Sequence, residues 1–192
     1  WTGTSWTQLG QDIDGDSTRD FSGNSISLSA DGQTIAIGAN ISDRNGLIDS
    51  GYTRLYRWTG SSWTNLGVAI DGEANGDYSG SAVAVSADGD TVAIGAVTVS
   101  IPGLQGGSNL SGRTRVYRWT GATWNQLGAD IDGEASGDLS GRAVCLSADG
   151  ETVAVGAPRN NDKGTDSGHV RIYSWTGTSW TQLGQDIDGD ST

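Results

Sequence analysis

Trp58-Thr59-Gly60-Ser61-Ser62-Trp63 is the stretch on which the fold turns. Two tryptophans around a Thr-Gly turn read as a β-hairpin with facing rings, an aromatic pair across two strands. The same text, W-T-G-x-[ST]-W, begins at Trp1, Trp119 and Trp175, giving periods of 57, 61 and 56 residues. All eight tryptophans of the 192-residue chain sit in these four hairpins. Each copy continues L-G-x-x-I-D-G-[DE]. Full copies then add a short turn, S-G, a strand, A-D-G, a second strand and G-A. A loop follows, then S-G and a strand ending R-[LVI]-Y. Repeats of this length point to a propeller, solenoid or array.

Working outward, each unit reads as four strands, a to d. Strand a is expected at Ser25–Ser29, Ser81–Ser86 and Arg142–Ser147, and strand b at Thr34–Ala39, Thr91–Ala96 and Thr152–Ala157. Asp31-Gly32, Asp88-Gly89 and Asp149-Gly150 join them as tight hairpins. Strand c runs into the first tryptophan and strand d leaves from the second. No segment sustains a helical apolar period, so helix content should be near zero.

Large residues (Ile26, Leu28, Ile35, Ile37) alternate with tiny ones (Ser25, Ser27, Ala36, Gly38), and the later copies repeat the pattern. Such sheets stack large face against small face. The expected fold is therefore all-β: three four-stranded antiparallel β-propeller blades plus one extra d strand. Closure or stacking would come from further repeats or chains. The divisions are 1–18 (outer strand of a preceding blade), 19–75, 76–136 and 137–192.

Length variation is confined to the b–c loop: Asn40–Asp49, Val97–Leu110 and Pro158–Asp166. Outside that loop the repeats are equal in length, as when a rigid scaffold presents variable loops for recognition. Residues 1–18 and 175–192 are identical, while the two intervening copies of this window differ from them. Three readings fit: a longer array repeating every three units, an engineered overlap, or a window drawn on a periodic molecule.

These residues resemble the FG-GAP repeat of integrin α-chain-type propellers over the three full units. The Phe-Gly position falls at Phe21-Ser22-Gly23, Tyr78-Ser79-Gly80 and Leu139-Ser140-Gly141. Gly-Ala-Pro falls at Gly156-Ala157-Pro158 and is altered to Gly38-Ala39-Asn40 and Gly95-Ala96-Val97. The family's calcium loop lies between those motifs. Here that segment is a tight turn such as Ala30-Asp31-Gly32-Gln33, so that site does not carry over.

The chain has 23 acidic against 11 basic residues, a net charge of −12, which excludes nucleic acid and anionic membranes as partners. No apolar run reaches the length of a spanning helix. With 34% apolar residues and 31 glycines, composition argues for a folded chain. The acids fall in rows: Asp12, Asp14, Asp16 and Asp20; Asp71, Glu73 and Asp77; Asp130, Asp132, Glu134 and Asp138. Clustered carboxylates on glycine-bearing turns are what calcium wants, although Asp-Gly turn formation produces the same text. Calcium is the one cofactor to consider.

Asn40-Ile41-Ser42 and Asn109-Leu110-Ser111 are N-glycosylation sequons, relevant only to a secreted eukaryotic chain. Cys145 aligns with Ser27 and Ala84 as a small buried filler, and His169 aligns with Tyr52 and Arg113. No nucleophile–base grouping recurs, so the expectation is that the chain is not an enzyme. It reads instead as a structural or adhesive module of an extracellular or cell-surface protein. Such a module would self-associate with further repeats or copies by blade stacking and strand exchange. The alternative is a carbohydrate- or protein-binding propeller using the variable b–c loops, with tryptophans as a sugar platform.

Overall fold

A computed structural model describes residues 1–98 and 110–190. Its strands form three antiparallel sheets, and no helix occurs among the described residues. The first sheet contains β1 (Ser25–Leu28), β2 (Thr34–Ala39), β3 (Tyr52–Trp58), β4 (Trp63–Asn65) and β5 (Ile70–Asp71). The second has β6 (Ser79–Val85), β7 (Thr91–Ala96), β8 (Arg113–Trp119), β9 (Trp124–Gln126) and β10 (Ile131–Asp132). The third has β11 (Ala143–Leu146), β12 (Thr152–Ala157), β13 (His169–Trp175), β14 (Trp180–Gln182) and β15 (Ile187–Asp188). Each is the expected propeller-like blade in the order a-b-c-d, with strand d in two pieces that both pair with c.

Strand d breaks in all three blades at a Leu-Gly step whose glycine has positive φ (Gly67, Gly128 and Gly184), and at the two internal junctions the next blade packs on that glycine. After β4, Leu66 turns inward while its N–H still donates to Leu55 O at 2.8 Å. Gly67 then takes φ +80° directly beneath Trp119 of the following blade, a place where a Cβ would lie 2.7 Å from that ring. Gly128 repeats the arrangement beneath Trp175.

The a–b hairpins are locked by a Ser-x-Asp device. Thr34 N–H donates to Ser29 Oγ, and the Ser29 hydroxyl donates to Asp31 Oδ1 at 2.6 Å. That hydroxyl is the main reason the Asp31 carboxyl titrates below the usual carboxylate range, and Ser147 acts likewise on Asp149.

The alternation of large and tiny residues is used as expected. Val83, Val92 and Ile94 of the second blade pack on Ala36 and Leu55 of the first. Its small side, Ala84 and Ala93, receives Val153 and Val155 of the third. Gly38 and Gly95 are obligatory here, since a Cβ on either would overlap the backbone carbonyl of Gly80 or Gly141 in the next blade.

One expectation changes. Residues 1–18 form no strand, because the c strand with which a d strand pairs has no counterpart for them among the described residues. They nonetheless lie in the d position against the first blade: Trp63 Nε1 donates to Leu9 O at 3.0 Å, and Gly10 sits beneath Trp58. Trp1 and Trp6 keep the ring pairing of the other hairpins, with centroids 5.6 Å apart.

Candidate functional site

The chemistry of the molecule is concentrated where the d–a connection of one blade meets strand c of the next. Arg54, Arg115 and Arg171 occupy the same position of strand c in the three blades. Each meets the acid two residues after the Ile-Asp aspartate of the preceding connection: Arg54–Asp16 at 2.6 Å, Arg115–Glu73 at 2.6 Å and Arg171–Glu134 at 3.4 Å. The middle junction is the most developed. Arg115 is 3% exposed and also reaches Asp130 at 3.1 Å and Asp77 at 3.7 Å. Beside it, Arg113 reaches Asp130 at 3.1 Å and Asp77 at 3.5 Å.

Burial by itself would lift the Asp130 carboxyl. The Arg115 charge and the hydrogen bonds from Gln126, Arg113 and Arg115 outweigh it and hold the group below the usual carboxylate range. Burial likewise opposes the charge on Arg115, but the Asp130, Glu73 and Asp77 carboxylates prevail and raise its pKa.

The acids singled out by spacing therefore have distinct duties. Asp20, Asp77 and Asp138 are buried and cap their own turns, accepting from the N–H of Ser17, Glu73 and Ala135 at 2.9, 3.0 and 3.1 Å. Asp16 pairs with Arg44 and Arg54, and Asp71 with Arg44 at 3.0 Å. Asp12 accepts from Gln8, as Asp130 does from Gln126. Asp14 lies exposed near Trp63, and the backbone carbonyl of Asp132 accepts from Arg171. Among the row acids, Asp16, Asp71, Glu73, Asp77, Asp130 and Glu134 meet arginine.

A second cluster shares only Glu134 with those rows, and its other members were not marked by the spacing. Glu134, Asp162, His169 and Asp186 bring their ligand atoms within 4.8 Å of one another. The loop Asn160-Asn161-Asp162-Lys163-Gly164 reads in sequence as an ordinary polar turn, and a lone histidine carries no pattern. Only the fold joins them.

Asn40 is half-buried with a buried Oδ1, and Ser42 of its sequon is buried. Asn109 lies outside the described residues. Cys145 is exposed rather than buried, because the small face of the third blade has no neighbour upon it. That face forms an apolar groove of about 480 Å3 lined by Arg142, Ala143, Gly156, Pro158, Val170 and Ile187. At the other end, Ile26 and Leu28 of the first blade's large face are 65% and 54% exposed.

Residues 129–173 match the FG-GAP repeat family, from the d–a connection of the second blade through strand c of the third. The resemblance read from the motifs holds there. Phe21, Tyr78 and Leu139, at the family's Phe-Gly position, all adopt a left-handed backbone with φ of 50–57°. No curated protein matches the chain.

Among solved structures, the chain is similar to a candidate 6-phosphogluconolactonase from Bacteroides uniformis. The identity is 12% and the TM-score 0.53, over 86% of this chain and 40% of that one. It is also similar to hydrazine synthase from Kuenenia stuttgartiensis, with 16% identity and TM-score 0.50, over 82% of this chain and 41% of the other. The chain thus spans about two fifths of each, and at these identities the likeness is one of fold. It does correct one expectation. The lack of a nucleophile–base grouping was read as excluding an enzyme, yet both neighbours carry enzyme names, so that exclusion falls.

Proposed function

We propose that the chain is a structural, self-stacking module of an extracellular repeat protein, adding blades head to tail through its two open faces. The observation that carries this is the fit of those faces to the two junctions already within the molecule. Gly38 and Gly95 meet Gly80 and Gly141 across the internal junctions. Their equivalents, Gly156 at one end and Gly23 at the other, meet nothing across a junction. Gly184 likewise has no neighbour within 4 Å, where Gly10, Gly67 and Gly128 each carry a tryptophan.

Charge follows the same logic. Arg57 of the first blade pairs with Asp90 of the second at 2.7 Å, and Arg118 of the second with Glu151 of the third at 2.8 Å. At the end position the cation becomes Ser174, and on the opposite open face the acid becomes Gln33. A third blade docked on a first blade would set these two losses against each other, which supports the reading. In this reading the acids of the rows that meet arginine serve stacking as its partners, so calcium is not expected to shift the melting temperature. No helix among the described residues is long and apolar enough to cross a membrane. The FG-GAP match supports an extracellular setting.

Sedimentation velocity across a concentration series tests the reading. The wild-type chain should form higher-order species as concentration rises. Gly156→Val should stay monomeric with an unchanged melting temperature, because a Cβ there meets only Ala143 at ordinary contact distance. A wild-type chain that remains monomeric throughout, or a Gly156→Val chain that associates equally well, would defeat it.

A further inference from the structure

We propose that Glu134, Asp162, His169 and Asp186 form a binding site for a divalent first-row transition ion at the junction of the second and third blades. His169 Nδ1 and one oxygen of each carboxylate are the ligands. The stacking reading neither requires this site nor depends on it.

The first observation is the histidine. Its side chain is fully buried, yet neither ring nitrogen has a hydrogen-bond partner among the described residues. A buried imidazole without a partner forfeits its hydration with nothing in return. Its Nδ1 stands 3.5 Å from Asp186 and 3.7 Å from Glu134, too far for hydrogen bonds and well placed for a shared ion after a small contraction.

The second observation is comparison within the molecule. The residue aligned with His169 in the second blade is Arg113, whose guanidinium lies between Asp130 and Asp77, the counterparts of Asp186 and Asp138. In the first blade the cation comes from the loop instead: Arg44, fifth residue of its b–c loop, bridges Asp16 and Asp71. The fifth residue of the third blade's loop is Asp162. At both earlier junctions a guanidinium occupies the space between the carboxylates. At the third, the cation of each is replaced, once by imidazole and once by another carboxylate. Arg171 still touches Glu134 at 3.4 Å, and Lys163 is engaged with Asp188 at 3.6 Å. One guanidinium and one imidazole beside three carboxylates leave fewer cationic side chains here than acids.

Imidazole with carboxylates selects zinc, cobalt, nickel or manganese over calcium or magnesium, which take oxygen ligands alone. The site is open on the Asp162 side, so an ion has a way in.

The experiment is titration of the whole chain with zinc chloride by calorimetry, and with cobalt(II) by visible absorption. Zinc should bind one per chain and raise the melting temperature, and cobalt should give a ligand-field spectrum that zinc bleaches. His169→Arg copies the second blade. It should keep the unliganded melting temperature, because the guanidinium gains Asp186 and Asp138, and should lose both the zinc heat and the cobalt spectrum. Asp162→Asn, at an exposed position, should weaken zinc by about tenfold or more, since a ligand matters at least as much as its supporting shell. Absence of zinc binding in the wild type overturns the proposal. So does equal zinc binding by His169→Arg, or calcium bound by both proteins as tightly as zinc, which would leave only an acidic surface.

Discussion

At the scale of single residues, Asp77 and Arg115 set the terms. Asp77 is fully buried, and its charge is tolerable because a backbone N–H, the Thr98 hydroxyl and two guanidinium groups face it. Removing Arg115 strands part of that charge. Arg115→Met should cost about 3–5 kcal/mol in urea denaturation, the usual penalty for breaking one side of a buried pair. The pH response follows from Asp130, whose carboxyl is held low in the folded chain. A depressed carboxylate stabilises above its unfolded value, about 3.9, and that stability is lost as pH falls through the folded value. Stability should therefore be level near neutrality and decline below about pH 4, and Asp130→Asn should be less stable at pH 7 with a shallower acid decline. The acids themselves were plain in the sequence, but their partners were not. Glu73 and Arg115 are 42 positions apart, and nothing in a row of carboxylates tells a guanidinium from a metal ion as its counterpart.

At the scale of elements, the tryptophan hairpin is both a clamp within a blade and a latch between blades. Trp119 and Trp124 are cross-strand partners with ring centroids 5.4 Å apart. Trp124 Nε1 donates to Leu66 O of the preceding blade at 2.7 Å, and Trp180 Nε1 to Leu127 O at 2.8 Å. Trp124→Phe removes that donor from a buried position and should cost about 2 kcal/mol by thermal unfolding. Trp63→Phe should cost less than half as much, because its acceptor lies in the exposed segment 1–18. The b strands were legible to the residue, Thr34–Ala39 and its counterparts, because alternation and Asp-Gly turns act locally. The division of strand d was not, although it falls in every blade at the positive-φ glycine of the Leu-Gly step, Gly67, Gly128 and Gly184. Segment 1–18 shows what the text alone leaves out: it has the sequence of a strand and lacks the partner that makes one.

At the scale of the whole molecule, three blades leave two unlike faces, the aliphatic one around Ile26 and the small one around Ala143 and Cys145. Each copy also carries a net charge of −12, so copies repel as they approach. Burial of the apolar faces is insensitive to screening by salt, whereas the repulsion fades as the screening length falls from about 10 Å at 0.1 M to about 3 Å at 1 M. Association in sedimentation experiments should therefore strengthen several-fold over that range, while a weakening would mean that ion pairs such as one between Asp190 and Arg54 of a second copy dominate the contact.

The segment across Trp63 adds a thermodynamic point. Residues 1–18 and 175–192 are the same text, so whichever of them lies over that ring, from its own chain or from a neighbour, makes the same contacts. Swapping one for the other is isoenergetic at that ring and cancels from the equilibrium. In the stacking proposed above, this exchange would set how fast copies join, through the time the resident segment takes to lift away, and would leave how tightly they join to the faces beneath.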